Sequence, residues 1–243
     1  MKRRGYSPYR FEYDFKFDSF ISKPETYFLD VGSGPVSDCG SKTDKTKLFI
    51  QAVDPLAEAY AVMKKAHGLT TRITPEFCCV ELLSDKFQAE SFDIVHMRNS
   101  LDHSFNVMLG IAQMLYVTRT GGKVILVHLD NVAEDANYEG LHQWNLIVRD
   151  GRFIVGRGER EFDVGEVFRR YVDIECTPSG KDRYHTVVLT KKNSIPLIVD
   201  PNKSLFVESL MSSLIHCLYE KVKREEIIPL RVCRKLKRIL LRK

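Results

Sequence analysis

The stretch Phe28 to Pro35, FLDVGSGP, is an apolar run that ends in two glycines, Gly32 and Gly34. A strand that runs into a tight glycine turn lets the backbone close around a ligand. The neighbouring residues narrow the choice of ligand. A dinucleotide fingerprint needs a third glycine, and Ser37 occupies that position. Asp30, two residues before Gly32, would repel a pyrophosphate held at this turn. No Gly-Lys-Ser/Thr follows, so a P-loop is excluded as well. Asp54 ends the next apolar run, LFIQAVD, 20 residues after Gly34, which is the usual length of a βαβ step. A carboxylate at that point is placed to accept hydrogen bonds from ribose hydroxyls.

A cofactor without phosphate and with positive charge suits Asp30. S-adenosylmethionine has a sulfonium, an ammonium and an adenosine, and it fits both Asp30 and Asp54. Methyl transfer is an in-line displacement, and a hydroxyl acceptor must also lose its proton. NSLDHS (99–104) offers Asp102 and His103 for that step, and His142 joins them as a third catalytic candidate. His103 has a second reading, as a cap of the helix that follows. NYEGLHQWN (137–145) gathers aromatic, carboxylate, imidazole and amide groups around Trp144, the sole tryptophan. Tyr138, Glu139, Trp144 and Asn145, with His128 from the preceding strand, form the expected substrate set. Such a set suits a polar ring such as a sugar. The alternatives are that Trp144 anchors the hairpin that follows and that His128 is a core residue. No metal-ligand spacing stands out, so a metal-independent reaction is expected.

The elements that would position these residues alternate between strand and helix. YFLDV (27–31), LFIQAV (48–53), FCCVEL (77–82), FDIVHM (92–97) and KVILVHL (123–129) read as strands. LAEAYAVMKKAHG (56–68) and SFNVMLGIAQMLYVTRTGG (104–122) read as helices that stop at glycines. This alternation predicts a parallel sheet with helices on both faces. WNLIVRDGRFIVG (144–156) reads as a hairpin turning at Asp150-Gly151. A short helix over 163–171 and two strands within 172–192 follow, giving the sheet an antiparallel end. Residues 193–203, with Pro196 and Pro201, read as a linker to an amphipathic helix over 204–224 and a basic one over 230–243. The expected domains are therefore 1–192 and 193–243.

FLDVGSGP, AVDP and FDIVHMRNSLDH together resemble the class I S-adenosylmethionine-dependent methyltransferases over about residues 25–192. The resemblance implies a Rossmann-like fold: a mostly parallel seven-stranded sheet with an antiparallel end, here extended by C-terminal helices. It places Asp30, Gly32, Ser33 and Gly34 in the cofactor loop and Asp54, with Pro55, at the ribose. It places Glu81 and Leu82 near the adenine, although Val80 stands where the family usually has a glycine. Met97 to Asn99 would line the methyl-transfer pocket, with Arg98 and Asn99 among the cofactor-binding residues. The polar stretch 35–47 departs from the family, and an irregular first helix is expected there. LDHS followed by GLHQWN is similar to a subgroup associated with bacterial polysaccharide gene neighbourhoods. That implies O-methylation of a saccharide or small polar metabolite. The nucleic-acid amino-methylating signature is absent, since MRNSLD stands in its place. An RNA methyltransferase and a cofactor-binding scaffold without turnover in glycan assembly are the competing classes.

Composition fits a folded protein, with 44% hydrophobic and 28% charged residues in 243. The six cysteines show no disulfide or zinc spacing and are expected to be reduced in cytosol. The start of the chain is basic without a following apolar run, so no secretory signal is expected. Of the net charge of +5, residues 221–243 carry +8, which leaves −3 on the rest. Such a tail suits an anionic membrane surface, a packed interface with the body or a second copy, or RNA. The membrane surface is the reading preferred for 230–243, with the amphipathic stripe at 207–222 packed, on a homodimer partner or on the body. Deleting 230–243 is expected to abolish binding to anionic vesicles. Unchanged vesicle flotation would exclude the membrane reading.

Overall fold

The computed structural model describes residues 17–37 and 47–198, apart from His67 and Arg72. The chain divides into the units Met1–Val199 and Asp200–Lys243. The irregular first helix expected within 35–47 falls largely outside the described residues, and the basic tail falls wholly outside them. The described part of the first unit begins with a 3-10 turn at Phe17–Phe20 and strand β1 at Glu25–Val31. β2 (Lys47–Val53) and α1 (Ala57–Ala66) follow. Then come α2 (Leu83–Lys86), β3 (Phe92–Arg98), α3 (Val107–Val117) and β4 (Thr118–Leu129). A four-residue helix α4 (Val132–Asp135) precedes β5 (Asn145–Arg149), β6 (Arg152–Arg157) and β7 (Arg160–Asp163). α5 (Val164–Phe168), β8 (Val172–Thr177) and β9 (Tyr184–Lys191) complete the described part.

The main sheet runs β2-β1-β3-β4-β9-β8. The first four strands are parallel, and β9 and β8 join antiparallel. The chain leaves β1 outward to β2 and returns to β3 on the other side. This reversal opens a crevice at the carboxyl ends of β1 and β3, where open α/β sheets bind ligands. β3 is buried at every position but its last, as expected of a strand covered on both faces. Phe28, Leu29, Ile94, Ile125 and Leu126 on the strands and Ile111, Met114 and Leu115 on α3 are almost fully buried in the core. Among the described residues, no helix is long and apolar enough to cross a membrane.

Three expectations are corrected. The run 77–82 is not a strand. Only a parallel bridge between Val53 and Glu76 marks the seventh position, so the main sheet has six continuous strands. Cys78, Cys79, Val80 and Leu82 are buried as a strand's residues would be, but the chain coils into a 3-10 turn at Val80–Leu82. Apolar content alone does not separate these outcomes. α3 ends at Val117, not at the glycines. The Thr118 hydroxyl donates to the Met114 carbonyl at 2.7 Å, and Thr118 is already extended. Gly121 and Gly122 belong to an irregularity of β4, where Phe92 pairs with Thr118 but Ile94 pairs with Lys123. The Asp150-Gly151 hairpin forms as expected, within a separate sheet, β5-β6-β7, and the antiparallel end comes from β9 and β8, the two strands expected within 172–192. Finally, 193–198 is fastened to the body and is not a free linker. Asn193 donates to the Arg170 carbonyl at 2.6 Å, Gln113 donates to the Ile198 carbonyl at 3.2 Å, and Ile195 is buried.

Ser194 donates to Glu90 at 2.6 Å. This bond, with Lys191 and Thr120, outweighs partial burial and holds the Glu90 carboxyl down at about 2. A depressed acid stabilises the fold above its ordinary value, near 4.5, and that stability is lost as pH falls towards about 2. Glu90→Gln is therefore expected to flatten the acid side of the stability profile across that window. An unchanged slope in acid-titrated denaturant melts would show that the ionised Glu90, with its Ser194, Lys191 and Thr120 partners, contributes nothing.

Candidate functional site

Gly32 and Gly34 adopt left-handed φ values of +63° and +67°, where a side chain is strained. At Gly32 a Cβ would also lie 2.7 Å from the Ser100 Cβ, so the turn packs directly on the loop after β3. The Gly32 and Ser33 N–H groups donate to the Val53 carbonyl at 2.8 and 3.2 Å, docking the turn on β2. Asp54 clasps the same turn. One carboxylate oxygen accepts from the Gly34 N–H and the other from the Leu56 N–H, both at 2.8 Å. Burial raises the Asp54 carboxyl above its ordinary value, and the two N–H groups oppose that rise. Each oxygen keeps a lone pair for a ribose hydroxyl.

Asp30 is turned inward. Its oxygens lie 2.9 Å from His96 Nδ1 and 2.6 Å from the Ser37 hydroxyl, which donates to it. These hydrogen bonds let Asp30 shape the loop in which it was expected. Ser33 turns its hydroxyl onto the Gly34 carbonyl at 3.1 Å, and Pro55 is half-buried beside Asp54. Glu81 is buried and accepts from the Phe105 and Asn106 N–H groups at 2.7 and 3.2 Å, at the start of α3. Leu82 is a core residue. The Arg98 guanidinium lies over the Tyr184 ring. Asn99, at φ +46°, accepts from the Leu129 N–H at 3.1 Å and donates to the Tyr184 hydroxyl at 2.8 Å. Arg98 and Asn99 thus brace β3 against β4 and β9.

The structure brings Asp102, His103 and His142 together. Asp102 Oδ2 lies 2.7 Å from His142 Nδ1 and 3.3 Å from His103 Nε2, and the two nitrogens are 3.3 Å apart. Asp102 is buried, and both imidazoles are half-buried. Burial lowers the His103 pKa, against the pull of Asp102 and with the repulsion of His142. Two loops are clasped to produce this meeting. The Gln143 N–H donates to the Asp102 carbonyl at 2.9 Å, and Trp144 Nε1 donates to the Ser104 carbonyl at 2.8 Å. His103 sits in a 3-10 turn, Leu101–His103. The helix cap belongs to Asn106, whose side chain accepts from the Leu109 N–H at 3.1 Å.

The expected substrate set is largely occupied within the protein. The Tyr138 hydroxyl accepts from the Gly158 N–H and from Asn145 Nδ2, and Asn145 Oδ1 accepts from the Glu134 N–H. Tyr138 and Asn145 therefore build the loop. His128 is corrected: it is only 1% exposed, and neither ring nitrogen has a hydrogen-bond partner among the described residues. Burial pushes its pKa well down, with the neighbouring His185 as the next cause, so it is a neutral core histidine. Glu139 is exposed and Trp144 half-buried. His96, Ser37, Ser100 and Gln143 also shape the site. The histidine in FDIVHM carried a signal, since an imidazole inside an apolar strand needs a polar partner.

Residues 29–126, about two-fifths of the chain, match the family Methyltransf_11, a methyltransferase domain. With a sheet of this order, that stretch has the Rossmann-like architecture expected of such a domain, and S-adenosylmethionine is the cofactor that the match indicates. No curated protein matches the chain. Among solved structures it is similar to an S-adenosylmethionine-dependent methyltransferase from Aquifex aeolicus, with 14% identity and TM-score 0.46, covering 71% of this chain and 86% of that one. It is similar to a Haemonchus contortus phosphoethanolamine N-methyltransferase 2 in complex with phosphomonomethylethanolamine and S-adenosylhomocysteine. There the identity is 14% and the TM-score 0.49, over 73% of this chain and 52% of that one. It is also similar to the CurJ carbon methyltransferase at 10% identity and TM-score 0.47, covering 73% of this chain but only 51% of that one. The chain thus spans about half the length of that methyltransferase.

Asp54→Ala is expected to weaken S-adenosylhomocysteine binding roughly tenfold or more, the cost of losing hydrogen bonds to a charged group. It should also cost about 0.5–2 kcal/mol of stability, because the start of α1 loses its acceptor. Calorimetry and a thermal melt measure the two separately, and unchanged affinity would remove Asp54 from the ribose site.

Proposed function

We propose that this protein transfers a methyl group from S-adenosylmethionine to a hydroxyl of a saccharide or related small polar metabolite. The observation that carries this reading is the Asp102–His103–His142 cluster. Asp102 and His103 lie just after β3, in the loop whose Ser100 packs on the cofactor turn, and His142 meets them from the loop before β5. A sulfonium already activates the methyl carbon, so the enzyme has two tasks: to align the acceptor oxygen and to deal with its proton. A buried carboxylate holding two half-buried imidazoles is equipped for the second. The first falls to the clasped loops, which fix the cluster relative to the cofactor turn. Trp144 commits its N–H to Ser104 and keeps its ring half-exposed beside Gln143 and His142, a surface of the kind that stacks on a sugar ring.

The test is a panel of saccharide and small hydroxyl acceptors, with S-adenosylhomocysteine release as the readout. Wild-type protein is expected to turn over a hydroxylated acceptor. His103→Ala should lower kcat by about 10²–10⁴ while S-adenosylhomocysteine affinity stays unchanged. Equal turnover by the variant would end the hydroxyl reading.

A further inference from the structure

Asp102 Oδ2, His103 Nε2 and His142 Nδ1 form a triangle with sides of 2.7, 3.3 and 3.3 Å. Hydrogen bonds alone leave this triangle poorly satisfied. If His142 Nδ1 donates to Asp102, His103 Nε2 must turn either a lone pair or a second N–H into the same space. The lone pair would face the carboxylate oxygen 3.3 Å away, and the second N–H would crowd the first. A cation removes the conflict, because all three atoms then offer lone pairs to one centre.

The distances fit an ion. Zinc binds imidazole nitrogen at about 2.0–2.1 Å and carboxylate oxygen at about 2.0–2.2 Å. Two ligands at such distances in a tetrahedral arrangement stand about 3.3 Å apart, and two sides of the triangle have that length. A point about 2.1 Å from all three atoms lies roughly 1 Å out of their plane. The donor types narrow the metal. Two imidazoles among three ligands disfavour magnesium and calcium, which take oxygen, and favour zinc and its transition-metal neighbours. Three protein ligands with a remaining open position is also the pattern of a catalytic zinc site, in which the fourth place takes water or substrate.

The site is held together by the fold. His103 and His142 are 39 residues apart and come from different loops. The bonds from the Gln143 N–H and Trp144 Nε1 to the Asp102 and Ser104 carbonyls hold those loops together. We propose that Asp102, His103 and His142 bind one divalent transition-metal ion of the zinc type, with its open position available to an acceptor oxygen. Binding of the ion stands on the geometry alone. Its use, to hold a hydroxyl and make it more acidic, rests on the hydroxyl-methylation reading.

The experiment uses the full chain without a histidine tag, stripped with chelator and titrated with Co²⁺ and then Zn²⁺ by calorimetry and visible absorption. Wild type is expected to take one equivalent, with cobalt bands of low coordination number that zinc displaces. His103→Ala and His142→Ala should each weaken binding at least about 100-fold, beyond the usual cost of losing only a supporting outer contact. Retained S-adenosylhomocysteine binding shows that the variants fold. Asp102→Asn, close in shape to the original, repeats the test if an alanine variant does not fold. Absence of stoichiometric binding by wild type, or binding undiminished in the variants, overturns the proposal. The two readings fail separately. A protein that binds one ion but methylates no hydroxyl keeps the metal site and loses the acceptor reading. One that methylates hydroxyls with no ion bound does the reverse.

Discussion

Four carboxylates, Asp30, Asp54, Glu81 and Asp102, are buried near the carboxyl ends of the parallel strands, each at most 6% exposed. A buried carboxylate without partners is costly enough to unfold a domain, so each must be bonded. Those bonds are the architecture of the site. Asp30 draws Ser37 and His96 together, Asp54 joins the glycine turn to the start of α1, and Glu81 holds the N-terminus of α3. Asp102 gathers two imidazoles. The irregular loops around the crevice are therefore set by polar satisfaction, while the strands beneath them are set by apolar packing.

This division explains how much was legible in the sequence. The glycine turn, the spacing from Gly34 to Asp54, and the apolar runs of β1, β3 and β4 are local patterns with a local physical cause. Reading them predicts a Rossmann-like sheet, and the fold has one. The run at 77–82 failed as a strand because its deciding interaction is distant: Glu81 answers backbone donors at Phe105 and Asn106. Helix α3 ends early where Thr118 turns extended, its backbone N–H and its hydroxyl both donating to the Met114 carbonyl. Neither event changes hydrophobic periodicity, so neither is visible in it.

At the site, residue types were more informative than roles. Asp102, His103 and His142 could be chosen for their chemistry, but the spacing of 39 residues says nothing about whether the imidazoles meet. That depends on one backbone bond at Gln143 and one indole bond at Trp144. Tyr138 and Asn145 have the same chemistry as ligand-binding residues, yet they are used to shape the loop, where Asn137 and Tyr138 both take left-handed backbone conformations. An aromatic or amide in a loop rich in such conformations is as much a structural part as a reader of substrate.

The fastening of 193–198 bears on how this domain can be treated as a module. Its natural edge lies past the last strand, after Ile195 has entered the core and the Ile198 carbonyl has met Gln113, itself bonded to the Ser84 N–H. A cut after Lys192 would uncover apolar surface and leave a buried amide on α3 without one acceptor. A fusion or transplant that keeps the chain through 198 retains the buried Ile195 and the acceptor of Gln113.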